Sequence, residues 1–153
     1  LAAMDAGAAL QAQAYSLPRL NGPRFRTAVD HMNKSGMPVG AGTDGGHLGP
    51  INPWTAIYFM STGLSADGVN RGMPEGEEIS RREALYLYTL GSAWFSFDED
   101  KLGSLEVGKL ADLVVLSADF DTVPDKGLRK MKSVLTIVDG RIVYDDGSLI
   151  TIK

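Results

Sequence analysis

Apolar positions recur at helical spacing in three places along this chain. Phe25, Ala28, Val29 and Met32 form one stripe, opened by a possible cap at Asn21 and by Pro23, and closed by Gly36 and Pro38. Asn52-Pro53 opens a second helix, with Trp54, Ile57, Tyr58 and Ser61 on one face and Gly63 at its end. The third is Ala84, Leu87, Tyr88, Gly91, Trp94 and Phe95, introduced by the capping box Ser80-Arg81-Arg82-Glu83. Here Trp94 and Phe95 read as core, and Arg81 and Arg82 as a solvated first turn. Ala2–Gly7 reads as a helix end, and residues 8–13 as a short strand.

Between the first two helices lies Pro38-Val39-Gly40-Ala41-Gly42-Thr43-Asp44, short, small and apolar, which predicts a buried strand running into a polar end. Helix, turn, strand and loop in this order suit an α/β fold with a parallel sheet. The long connection from Leu64 to Ile79 is expected to be functional or mobile. After Asp100 the pattern changes. Ala111–Leu116 reads as a strand, and Val134–Val138 and Arg141–Tyr144 as a hairpin across Asp139-Gly140, a pair suited to a tight I′ turn. The change near residue 101 marks a candidate domain boundary.

Composition narrows the class. With 153 residues, 44% hydrophobic and 22% charged, the chain has the balance of a globular domain. A net charge of −4 argues against a nucleic-acid footprint. No apolar run reaches the length of a membrane helix. Without cysteine there is no disulfide, thiolate metal ligand or cysteine nucleophile. With only His31 and His47, the chain by itself holds no multi-histidine metal site. It begins at Leu1 rather than Met, so an upstream piece is expected to be missing.

Candidate chemistry gathers after the expected strand. Asp44 would sit where α/β barrels build their active sites, and a carboxylate there can hold a metal or carry a proton. The same Asp-Gly pair is also ordinary turn chemistry. His47 could touch substrate or a metal, or simply face water. His31 lies off its helix's apolar stripe and reads as solvated. Gly40 to Gly45 matches G-x-G-x-x-G, which leaves open a nucleotide-binding module, although Gly46-His47-Leu48-Gly49-Pro50 does not open the expected helix. A non-catalytic structural or interaction domain is the third possibility.

Gly103-Ser104-Leu105-Glu106-Val107-Gly108-Lys109-Leu110-Ala111-Asp112-Leu113-Val114-Val115-Leu116 resembles the C-terminal signature of metal-dependent amidohydrolases, G-S/T-L/I-x-x-G-K-x-A-D-L/F-V-V-L. Ser80 to Phe97 resembles that superfamily's S-x-x-E-A-L-x-x-Y-T helix. Thr122-Val123-Pro124 and Val134 to Tyr144 resemble its tail. Together they point to amidohydrolase family 3. The resemblance implies an incomplete fragment: the C-terminal units of a (β/α)8 barrel over 1–101 and the C-terminal strands of a small β-sandwich over 102–153. Val39 to Thr43 would be the eighth barrel strand.

The resemblance further implies that Asp44 is a metal ligand and proton shuttle, taking a proton from metal-bound water and passing it to the leaving nitrogen. From their place in the same loop, and not from a family motif, Gly45, Gly46 and His47 are expected to meet an amide-like small-molecule substrate. The metal, zinc first, would draw its remaining ligands from outside this chain, because a catalytic zinc takes three protein ligands and water. No metal is expected in the isolated chain, which should be inactive. Neither nucleic acid nor membrane is an expected partner. Its exposed sheet edges should meet an upstream segment of the same protein or a second copy.

Overall fold

A computed structural model describes residues 25–43 and 51–149. Among these residues five helices and three strands follow one another: α1 (Phe25–Lys34), α2 (Pro53–Thr62), α3 (Arg81–Tyr88), α4 (Leu90–Phe95), β1 (Leu113–Leu116), α5 (Asp125–Leu128), β2 (Ser133–Val138) and β3 (Arg141–Asp145). The units expected at residues 2–13, and the cap at Asn21 with Pro23, lie outside the described residues.

Local chemistry sets most element ends. Asn52 accepts a hydrogen bond from the Trp54 N–H at 2.9 Å, Pro53 occupies the first helical position, and Gly63 closes α2 in the left-handed region. The helix is buried on all sides from Trp54 to Met60, not along one face. Ile57, only 1% exposed, lies in a core that also takes Val39, Met73, Ile79, Leu87, Leu128 and Met131. Leu116, Phe120 and Val123 pack against the same core, so both sides of residue 101 contribute to it.

At α3 the capping box is complete. Ser80 Oγ accepts from the Glu83 N–H at 3.1 Å, and Glu83 Oε2 accepts from the Ser80 N–H at 2.7 Å. Hydrogen bonding to Ser80, with attraction from Arg26, holds the Glu83 carboxyl below its ordinary 4.5. A carboxyl depressed on folding stabilises the native state above its unfolded pKa, and the effect is lost as pH falls through the folded value. Ser80→Ala is expected to cost ~1 kcal/mol at pH 7. Thermal melts at pH 7 and pH 3 should show a smaller acid-induced loss in Glu83→Gln than in the parent chain. Equal losses in the two proteins would refute this linkage.

The helix expected to run unbroken from Ser80 to Phe95 is in fact two. Thr89, at φ −114° and ψ −94°, leaves helical geometry and separates α3 from α4. Trp94 and Phe95 are not deep core either: Trp94 is 38% exposed and stacks edge-on against Phe95. Two short helices present less inner face than one long helix, so these aromatics sit at the rim. Phe97 ends α4 in the left-handed region, with the Phe97 and Asp98 N–H groups closing onto the Trp94 and Ala93 carbonyls.

Arg81 and Arg82 are more than a solvated turn. Arg81 reaches Asp125 at 2.6 Å and the Phe120 carbonyl, while Arg82 grips both Asp121 carboxylate oxygens. Such partners lie some forty positions away and carry no local periodic signal. The Leu64–Ile79 connection is likewise tied down. Asp67 accepts from Ser65 Oγ and from the Val69 and Asn70 N–H groups, which hold its carboxyl well below the usual range. Arg71 pairs with Glu78, whose carboxyl is lowered by that bond.

The three strands form one antiparallel sheet in the order β1-β2-β3. Asp139 and Gly140 both take positive φ, as a I′ turn demands. Here the signature residues of the sequence find structural work. The Lys109 ammonium donates to the Glu99 carbonyl at 2.6 Å, and Asp112 Oδ1 accepts the Asp139 N–H at 2.7 Å, bracing the hairpin turn.

Candidate active site

Among the described residues, the segment leading to Asp44 is not paired as the expected strand. Val39 to Thr43 is extended, but among the described residues no strand lies beside it. A strand exists by virtue of a ladder partner, and here the Ala41 backbone bonds to α3 and α4. The Ala41 N–H donates to the Leu87 carbonyl of α3 at 2.9 Å. The Ser92 hydroxyl of α4 lies 3.0 Å from the Ala41 carbonyl and 2.8 Å from that of Leu87, its one hydrogen placed between two acceptors.

Close approach makes this docking possible. Gly91 faces the Val39 carbonyl so tightly that a Cβ would overlap its oxygen. A Cβ on Gly40 would lie 2.8 Å from the Phe95 ring and 3.1 Å from the Gly91 carbonyl. The bare face of Gly40 is therefore filled by protein, which weighs against a phosphate resting on Gly40. Val39 is buried, and Ala41 packs against the core.

Asp44, Gly45, Gly46 and His47 lie outside the described residues. His31 stands exposed on α1, as expected of a solvated histidine. Among the described residues no group of three or more His, Cys, Asp or Glu side chains is placed to hold a metal ion.

Periodicity failed to single out Leu87, Thr89, Gly91 and Ser92 as the mooring of the Asp44 segment. One signal was available, since a Gly-Ser pair inside a helical pattern is a recognised place for a helix to kink. Thr89 supports the break: its hydroxyl donates to the Leu85 carbonyl at 2.8 Å, at the helix end.

The fold is thus a mixed one, in which an extended segment moored on a broken helix precedes the candidate carboxylate. A family model described as "Amidohydrolase family" matches residues 1–144. The chain belongs to the amidohydrolase family. It is 30% identical over 132 residues to 5-methylthioadenosine/S-adenosylhomocysteine deaminase of Symbiobacterium thermophilum, covering 79% of this chain and 29% of the deaminase. It is 34% identical over 110 residues to imidazolonepropionase of Syntrophobacter fumaroxidans, covering 72% of this chain and 22% of that enzyme. An amidohydrolase from Thermotoga maritima aligns in structure with a TM-score of 0.49 and 23% identity, covering 92% of this chain and 35% of that one. The chain spans less than a third of the length of these two curated relatives.

Proposed function

We propose that this chain is the C-terminal part of a hydrolase that cleaves a C–N bond, amide-like or amine, in a small molecule. The family match across residues 1–144 carries the reading, because it includes Asp44 directly after the moored Val39–Thr43 segment. The deaminase named above supports the C–N bond as the target.

In this reading Asp44 is the catalytic carboxylate. It would serve as one ligand of a divalent metal, zinc first, with the other ligands supplied from outside these 153 residues. Gly45, Gly46 and His47 would line the substrate side of the same loop. The barrel over 1–101 and the sandwich over 102–153 would be completed by the rest of the protein. Alone, the chain would be inactive.

Asp44→Asn in the full-length enzyme is the test. Asparagine keeps size and shape but removes the charge and the proton-accepting role. Metal-dependent release of ammonia or amine, assayed over a panel of N-acyl and aminopurine compounds, should be lost while the thermal melt is preserved. Turnover at the parent rate in Asp44→Asn would end the assignment. Metal-dependent hydrolysis by the 153-residue chain would overturn the claim of inactivity.

A further inference from the structure

Asp-Gly pairs occur three times among the described residues, at Asp67-Gly68, Asp139-Gly140 and Asp146-Gly147. The Asp44-Gly45 pair lies outside them and takes no part in the comparison. Such a pair can react with itself. Glycine carries no Cβ, so its backbone nitrogen can close on the preceding carboxyl carbon. The nitrogen attacks the protonated carboxyl, a C–N bond forms, and the C–OH bond breaks with loss of one water. Water then reopens the five-membered imide. Opening at the main-chain carbonyl gives isoaspartate, in which the backbone runs through Cβ and gains one atom, while the old carbonyl becomes a free carboxylate. Water leaves and returns, so the step needs no oxidant or reductant.

The three carboxyls differ in what occupies them. Asp67 accepts from Ser65 Oγ at 2.6 Å, from the Val69 and Asn70 N–H groups at 2.8 and 3.1 Å, and from Asn70 Nδ2 at 2.7 Å. Asp146 accepts the Ser148 N–H at 2.8 Å. These bonds, from Ser65 foremost in one and Ser148 in the other, hold both carboxyls below their ordinary range. The protonated form that reacts is therefore scarce at both. The Asp139 carboxylate forms no hydrogen bond or ion pair with any described residue, and it stands exposed at the hairpin tip.

What restrains Asp139 is its backbone. Its N–H donates to Asp112 Oδ1 at 2.7 Å, and the Gly140 N–H, the attacking group, donates to the Ala111 carbonyl at 3.2 Å. Both bonds must loosen before the turn can bring nitrogen and carboxyl together.

We propose that Asp139-Gly140 is a self-modification site, where the chain converts to isoaspartate ahead of the other two pairs, and that Ala111 and Asp112 set its pace by clamping the two amides of the turn. The product puts an extra backbone atom into a turn whose flanks, Val138 and Arg141, pair directly across the hairpin. A two-residue I′ turn has no place for that atom, so β2 and β3 lose their register beside the tip.

The 153-residue chain, aged for weeks in warm neutral buffer and digested, is read by electron-transfer mass spectrometry, which tells isoaspartate from aspartate at each pair. Isoaspartate should build up at Asp139 about fivefold or more faster than at Asp67 or Asp146, the scale of one hydrogen bond. Asp112→Ala, which removes one arm of the clamp, should quicken conversion at Asp139 about fivefold and leave the other two pairs within about twofold. Asp112→Asn, which keeps an acceptor oxygen, should stay near the parent rate. Equal or faster conversion at Asp67 or Asp146, or none at Asp139, would overturn the site. A parent rate in Asp112→Ala, or equal acceleration at all three pairs, would overturn the clamp, because general unfolding and not the turn would then set the pace.

Discussion

Gly91→Ala is expected to lower the melting temperature, although in most helices the same change raises it. Alanine in a helix interior gains about 0.5–1 kcal/mol over glycine. Here the new methyl would overlap the Val39 carbonyl oxygen and press on that of Tyr86 at 3.2 Å. Both obstacles are backbone, so neither can swing aside as a flexible side chain would. Overpacking of this kind costs about 1–3 kcal/mol, which outweighs the propensity gain. Gly42→Ala makes the control, since its methyl would meet nothing within 4 Å among the described residues. Denaturant midpoints should fall for Gly91→Ala and stay close to the parent value for Gly42→Ala. A Gly91→Ala protein as stable as the parent would show that the Val39 segment does not press on α4.

Ile57→Ala is expected to have the largest effect on stability of any change considered. Ile57 is 1% exposed on a helix buried all round, and truncating such a residue costs about 2–5 kcal/mol. Part of this is lost transfer energy and part the cavity left behind. For a chain of this size each kcal/mol shifts the melting point by about 2–4 °C, so a drop on the order of 10 °C is expected. Val143→Ala on β3, where the side chain is exposed, should change stability by less than about 0.5 kcal/mol. Similar shifts for the two variants would mean that α2 is not the centre of the core.

The two predictions mark where reading along the chain succeeds and where it stops. Asn52-Pro53 and Gly63 announced α2, Ser80 and Glu83 announced α3, and Asp139-Gly140 announced the hairpin. In each, the decisive groups lie within four positions of one another, so the pattern and the structure share a length scale. The expected strand at Pro38–Asp44 is different. Small apolar residues declared it buried and extended, and over Val39–Thr43 it is extended, with Val39 buried. Composition could not say whether a strand or a helix would lie beside it.

The arginines teach the same lesson in charge. Periodicity placed Arg81 and Arg82 on a first turn, but their acids at Asp125 and Asp121 come from beyond β1. Nor could spacing show that the helix would part at Thr89, because the apolar positions of α3 and α4 continue one another in phase. The family was legible as a signature, and the sequence offered Asp44 as the candidate carboxylate. The mooring of Ala41 at Leu87 and Ser92 was not legible.

By itself the sequence determined the caps, the turn, the hairpin and the family, because these depend on the conformational preferences of neighbouring residues and on motifs read directly. Only the tertiary structure decided that the Val39–Thr43 backbone would bond to a broken helix, and that one core would join α2 to the segment around Leu128 and Met131. Those outcomes turn on which distant groups meet. A buried carbonyl or amide must find some partner, but its residue type does not say which one.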